Sequence, residues 1–283
     1  MNTGPDRPIG VFDSGVGGLT VLHALKERLP GERFIYLGDT ARVPYGSKPR
    51  ELVQRFSREI TAELLRRQVK GIVIACNTAS AVCLPELANE LPVPVWGVIE
   101  PGVEAAAQVS RGGLVGVLGT RNTIASGVYQ KRLERRGIAS WARACPLFVP
   151  IVEEGIADSE VAEQVVTHHL HDRPYLDVVI MGCTHYPVLR RTLQKVLGDD
   201  VQLVDSAQTT AQVVAADLVR TGLASDNETG GQVLHLVTGD IASYIHAAGI
   251  IGAPAGEVHV VNLSPERGPD SENQVGYLEK RPS

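Results

Sequence analysis

The residues best placed to do chemistry in this chain are two cysteines. Cys76 ends the run Gly71-Ile-Val-Ile-Ala75 and leads into Asn77-Thr-Ala-Ser80, and Cys183 ends Asp177-Val-Val-Ile-Met-Gly182 and leads into Thr184-His-Tyr-Pro187. A short apolar run rich in β-branched residues reads as a buried parallel strand, and open α/β sheets hold their ligands beyond the carboxyl ends of such strands. Each thiol is therefore expected at a strand end beside a helix start, whose unpaired N–H groups and dipole lower a thiol's pKa from about 8.5. Two opposed thiols suit proton transfer at carbon. One sulfur removes a proton from one face while the other delivers a proton to the opposite face, and the roles swap with direction. The other two cysteines, Cys83 and Cys145, read as packing residues.

Competing chemistries fit less well. Structural zinc sites carry paired Cys-x(2–4)-Cys or His-x(3–5)-His ligands, and neither cysteine pair occurs, so no metal is expected. His168, His169 and His171 read as a solvated helix face. The loop Asp13-Ser-Gly-Val-Gly-Gly18 has Thr20 where a dinucleotide turn needs its third glycine, and it lacks the Gly-Lys-Ser/Thr ending of a P-loop. It does offer backbone N–H groups at a helix start, suited to a small carboxylate. Asp13 and Ser14 at this strand end are candidates for proton relay and hydrogen bonding. Asp39 and the Pro44-Tyr45-Gly46 corner lie in a loop that is long for a βα connection, from which the Tyr45 hydroxyl can reach a ligand.

The elements needed to hold these residues recur along all 283 residues. Strand-like runs alternate with amphipathic stretches, such as Leu52, Phe56, Ile60 and Leu64 on one helical face, and this alternation means a doubly wound α/β architecture. Pro94 argues that the Val93–Val98 strand lies at an edge. Helices are expected over Ala79–Leu91, Ile124–Arg136 and Glu160–Asp172. An internal echo sharpens the reading: Gly116 in Val115-Gly-Val-Leu118 stands 106 residues after Gly10 in Ile9-Gly-Val-Phe12, and Cys183 stands 107 after Cys76. We therefore expect two pseudo-symmetric, flavodoxin-like parallel-sheet domains with the site in the cleft between them. Residues 1–97 plus 207–263 form the first domain, 98–206 the second, and 264–283 a frayed tail.

Composition narrows the classes of function. Hydrophobic residues make up 43% and charged residues 21%, an ordinary globular balance, and the net charge of −5 supplies no field for nucleic acid or anionic membrane. No apolar run approaches the roughly 20 residues that span a bilayer. The first eight residues lack the apolar core of a signal peptide, so a cytoplasmic protein with reduced cysteines is expected.

Four segments taken in order resemble glutamate racemase, the cofactor-independent branch of the aspartate/glutamate racemase superfamily: Asp13-Ser-Gly-Val-Gly-Gly-Leu-Thr20, Gly38-Asp-Thr-Ala-Arg42 with Pro44-Tyr-Gly46, Ala75-Cys-Asn-Thr-Ala79, and Gly182-Cys-Thr-His-Tyr-Pro187. The resemblance runs from about Ile9 to the helix after Asp205. It implies interconversion of L- and D-glutamate for peptidoglycan, without pyridoxal phosphate or another cofactor. On it, Cys76 works on the D-enantiomer with help from Asp13, and Cys183 on the L-enantiomer with help from His185 and Glu153, with the adjoining Glu154 as the alternative relay. Asp39 joins the catalytic group, and Ser14, Pro44, Tyr45, Gly46, Asn77, Thr78 and Thr184 hold the substrate. Val43 departs from the cysteine many relatives carry there. The resemblance also implies a homodimer. Two alternatives stay open: a racemase of the same superfamily acting on aspartate, and a small-acid-binding regulator on the same scaffold, which would bind glutamate without exchanging its α-proton.

Overall fold

The computed structural model describes residues 4–227, 229–253 and 256–263. The expected tail, 264–283, lies outside the described residues. The chain begins with β1 (Ile9–Asp13), α1 (Leu19–Arg28), β2 (Phe34–Gly38), α2 (Arg50–Arg66), β3 (Gly71–Ile74), α3 (Asn77–Glu90) and β4 (Val95–Gly97). It continues with α4 (Ile99–Val109), β5 (Val115–Gly119), α5 (Arg121–Ala125), α6 (Val128–Glu134), β6 (Ser140–Ala144), α7 (Phe148–Glu153) and α8 (Glu160–Leu170). Then come β7 (Val178–Gly182), α9 (Arg190–Leu197), β8 (Gln202–Val204), α10 (Ala207–Thr221), β9 (Val233–Val237), α11 (Ile241–Ile250) and β10 (Val258–Val260).

These strands form two wholly parallel sheets, one of six strands in the order β10-β9-β2-β1-β3-β4 and one of four in the order β6-β5-β7-β8. The internal echo has a topological counterpart. β2-β1-β3-β4 and β6-β5-β7-β8 are the same arrangement, with β5 standing for β1 and β7 for β3. In both, the chain first steps to one side of the founding strand and then to the other. That reversal opens a crevice at the carboxyl ends of the two central strands. The six-stranded sheet adds β9 and β10, which come after the smaller sheet in the chain, and β4 forms its far edge as Pro94 suggested.

Strands β1, β2, β3, β5 and β7 are buried on both faces, as parallel strands covered by helices require, whereas the edge strands β6 and β10 are only partly covered. In β1, Ile9 and Val11 enter one core while Phe12 enters the other, and all three are fully buried. Each such side chain contributes roughly 1.5–3 kcal/mol relative to exposure. Two further cores cover the faces of the four-stranded sheet, centred on Leu118 and Met181 on one side and Val117 and Ile180 on the other. Helix α10 joins the halves by packing against both α1 and α4, and Ile251 touches a core of each sheet.

Two local departures from the sequence reading have clear causes. The single helix expected over Ile124–Arg136 is broken into α5 and α6 because Gly127 adopts φ 66°, a left-handed conformation that glycine takes without steric cost. The helix over Glu160–Asp172 stops at Leu170. In α3, Pro85 is accommodated inside the helix.

Candidate active site

Both cysteines sit at the predicted strand ends, but in different local settings. Cys76 follows β3 and is the N-cap of α3, with the Ala79 N–H donating to its sulfur at 3.5 Å. Cys183 follows β7 and precedes a short 3-10 turn, Tyr186–Leu189, before α9 begins. β3 belongs to the larger sheet and β7 to the smaller, so each sheet contributes one thiol.

The two sulfurs line one cavity of about 620 Å³ between the halves. Ser14, Pro44, Tyr45, Gly46, Asn77 and Thr78 form its wall on the six-stranded side, and Thr184, His185 and Glu153 line the other side. A larger depression of about 710 Å³ near Arg42 and one of about 1050 Å³ near Arg190 contain neither thiol. We place the chemistry in the cavity that holds both cysteines, which also has the mixed apolar and polar lining of a small-molecule site.

On the Cys76 side, the sulfur lies 3.7 Å from the Ser14 hydroxyl. Asp13 is fully buried at the end of β1, accepts from the Gly15 N–H at 2.9 Å, and stands 3.5 Å from the Thr184 hydroxyl of the other half. Burial raises the Asp13 carboxyl above the usual range, against the pull of His185 and nearby backbone N–H groups. Burial, with the Asp13 charge adding to it, also pushes the Cys76 thiol up to about 12. The sequence expectation of a lowered thiol pKa is therefore reversed at Cys76: desolvation disfavours the thiolate more than the Ala79 N–H and the Ser14 hydroxyl favour it.

The Cys183 side is a linear array. The Cys183 sulfur lies 3.9 Å from His185 Nδ1, and His185 Nε2 lies 3.0 Å from a carboxylate oxygen of Glu153. Burial alone would hold the imidazole neutral. The contacts with Cys183 and Glu153 outweigh it, and the pKa of His185 rises to about 10. Of the two adjacent glutamates at the end of α7, Glu153 makes this bond, and both side chains lie on exposed residues. The halves approach closely at Gly17, where a Cβ would stand 2.5 Å from His185 Nδ1 and collide with the Thr184 hydroxyl.

Asp39 is placed behind this wall rather than on it. Its carboxylate is fully buried, holds the Arg42 guanidinium through two contacts of 2.8–2.9 Å, accepts from Thr238 at 2.8 Å, and receives the Tyr45 hydroxyl. Tyr45 lines the cavity but is itself buried, and its hydroxyl is engaged by Asp39 in this network. Cys83 is buried beside Ser57, and Cys145 is buried at the end of β6.

Several lining residues carried no signal in the sequence. Thr120 and Arg121 come from the start of α5, and Leu147, Val149 and Pro150 from around α7. His168 and His169, read in the sequence as a solvated helix face, also line the cavity, with His168 exposed. His169 is half-buried, with Nδ1 at 2.9 Å from the Val165 carbonyl and its ring edge-on to Phe148.

Residues 9–214 match the family model described as Asp/Glu/Hydantoin racemase. The chain is 51% identical over 260 residues to the glutamate racemase of Thermus thermophilus, covering 92% of this chain and 98% of that protein. The crystal structure of glutamate racemase from Thermus thermophilus in complex with beta-chloro-D-alanine superposes with a TM-score of 0.85 over 92% of this chain and 98% of that one. The glutamate racemase of Francisella tularensis in complex with D-glutamate, 32% identical, does so with a TM-score of 0.84 over 92% and 98%. By sequence and by fold, the chain belongs to the Asp/Glu/Hydantoin racemase family.

Proposed function

We propose that this protein interconverts L- and D-glutamate by a two-thiol proton transfer, supplying D-glutamate for peptidoglycan. One observation carries the reading: sulfur atoms from two equivalent strand ends, one in each half, line a single cavity. The identities to glutamate racemases over nearly the whole chain support glutamate over aspartate.

In the L-to-D direction the Cys183 thiolate takes the α-proton and becomes a thiol, leaving a carbanion-like α-carbon. The Cys76 thiol gives its proton to the opposite face and becomes a thiolate. No proton is gained or lost overall, and the reverse direction exchanges the roles. The charges in the cavity fit this starting state. Burial holds Cys76 protonated, ready as acid, and the imidazolium of His185, 3.9 Å from the Cys183 sulfur, is placed to offset negative charge that develops there. Glu153 adds to the Cys183 contact in raising the pKa of His185, and Asp13, buried beside Ser14, is assigned to assist Cys76. Ser14, Pro44, Gly46, Asn77, Thr78 and Thr184 are assigned to the substrate's carboxylates and ammonium group, meeting charge with preorganised hydroxyls, amides and backbone N–H groups. Asp39 acts through Tyr45, whose ring it fixes as part of the wall.

For domain boundaries we adopt residues 1–97 plus 207–263 and residues 98–206. Among the described residues no helix is long and apolar enough to cross a membrane. A cytoplasmic homodimer remains our proposal for location and assembly, drawn from the resemblance to glutamate racemases.

The test is NMR of glutamate incubated with the protein in deuterated water. The α-proton signal should be lost as both enantiomers appear, with aspartate exchanged far more slowly. Cys76→Ala and Cys183→Ala should each abolish racemisation in a folded protein. Glutamate binding without α-deuterium would favour the regulator instead, and faster exchange of aspartate would move the assignment to an aspartate racemase.

A further inference from the structure

Asn122, the second residue of α5, is unremarkable in the sequence, yet it spans the cleft. Its side-chain nitrogen donates to the Tyr45 carbonyl at 2.9 Å and to the Lys48 carbonyl at 2.7 Å. A side-chain amide has two N–H hydrogens, and here both are used on one short segment of the opposite half. That segment, the 3-10 turn Tyr45–Ser47, carries the Pro44-Tyr45-Gly46 wall of the cavity. The turn is only three residues long, and the Lys48 N–H closes its end on the Tyr45 carbonyl at 3.2 Å. Tyr45 is thus pinned at both ends, its hydroxyl by Asp39 and its carbonyl by Asn122. There is little slack between the halves here, since a Cβ on Gly46 would lie 2.6 Å from Thr120 Cβ.

We propose that Asn122 is a positioning residue, with which the second half grips the Tyr45–Lys48 turn and holds the glutamate-binding wall at its working distance from the thiols. Asn122 touches neither sulfur in this arrangement, so its effect falls on substrate binding and closure rather than on proton transfer. Other ties between the halves do not depend on it. The Thr78 hydroxyl meets Thr120 at 2.9 Å, and the Tyr129 hydroxyl donates to Asn77 at 2.7 Å. Removing the Asn122 amide should therefore loosen one wall without separating the halves.

The kinetic side of this inference rests on the glutamate racemase reading, but its structural side does not. Asn122→Leu keeps the side-chain volume and removes both donors, and Asn122→Ala serves should the leucine not fit. In either variant KM for glutamate should rise about tenfold, the scale of two neutral hydrogen bonds, with kcat changed less than about threefold. Hydrogen exchange at the Lys48 amide should accelerate about tenfold while amides of β1 and β5 keep their wild-type rates. Unchanged KM and unchanged Lys48 exchange in both variants would overturn the proposal. So would a loss spread evenly over kcat, the melting temperature and exchange throughout the chain, which would make Asn122 a general structural residue. If the wild-type protein does not racemise glutamate, the function assigned above fails, and the exchange measurement still decides the role of Asn122.

Discussion

Replacing Glu153 by glutamine tests the array behind Cys183. The substitution keeps the shape and removes the charge 3.0 Å from His185 Nε2. A charge-assisted hydrogen bond in a buried site contributes roughly 1.5–3 kcal/mol. The Glu153 side chain is 41% exposed, so solvent screening brings the effect on His185 to about 1.4 kcal/mol, one pKa unit. The sign follows from the direction of the shift. His185 rises to about 10 in the folded protein, so the imidazolium and what it stabilises persist below that pH and are lost as pH climbs through it. In the glutamine variant the alkaline limb of kcat/KM should move down by about one pH unit. Relative to wild type, activity should fall by about fivefold near pH 10 and by less than twofold at pH 8. Because the enantiomers have equal free energy, kcat/KM must fall equally in both directions, which checks the assay internally. Glu154→Gln is the control and should leave the limb in place. A Glu153→Gln limb at the wild-type pH, or a loss of the same size at every pH, would refute the view that the carboxylate acts by holding His185 charged.

Two further outcomes follow from the packing. Gly17→Ala should lower kcat/KM by about a hundredfold, because the new methyl forces His185 or the loop to move by a sizeable fraction of an ångström; near-normal rates would mean the halves have more freedom than this contact implies. His235 is buried, 2.9 Å from the Tyr244 hydroxyl, and burial followed by the charge of Lys26 lowers its pKa to about 4. Its unfolded form takes up a proton near pH 6.5, before the folded form does, so stability should fall as pH drops from 6.5 to 4. The slope should be up to about 1.4 kcal/mol per pH unit, and the urea midpoint of His235→Phe should lack that component. An equal pH dependence in the variant would show that His235 does not titrate this way.

The founding strands, both thiols and the repeated half were legible because each is written in contiguous residues. An apolar run ending in Cys-Asn-Thr or Cys-Thr-His needs no tertiary information to be read as a strand end. The pairing of Ile9–Phe12 with Val115–Leu118 foretold that β1 and β5 would occupy matching places. What stayed hidden depends on the meeting of the halves. Asn122 and Thr120 acquire their partners only when α5 meets the Tyr45 turn and α3, and His168 reads as surface until α8 is seen to line the cavity. The Cys76 pKa was misjudged for a similar reason. The capping N–H is local and visible in sequence, whereas the desolvation that outweighs it comes from tertiary packing around the thiol.

The order of the strands also bears on how the molecule is made. In the finished sheet β9 pairs with β2 and β10 with β9, yet both leave the ribosome after the whole four-stranded half has been synthesised. For most of translation the hydrogen-bonding groups of Phe34–Gly38 on that side have no neighbour, and a bare, apolar strand is a template for unwanted pairing between nascent chains. A chain halted after Thr221 would carry both thiols and still be sticky, so the final forty or so described residues act as a cover for the oldest part of the protein.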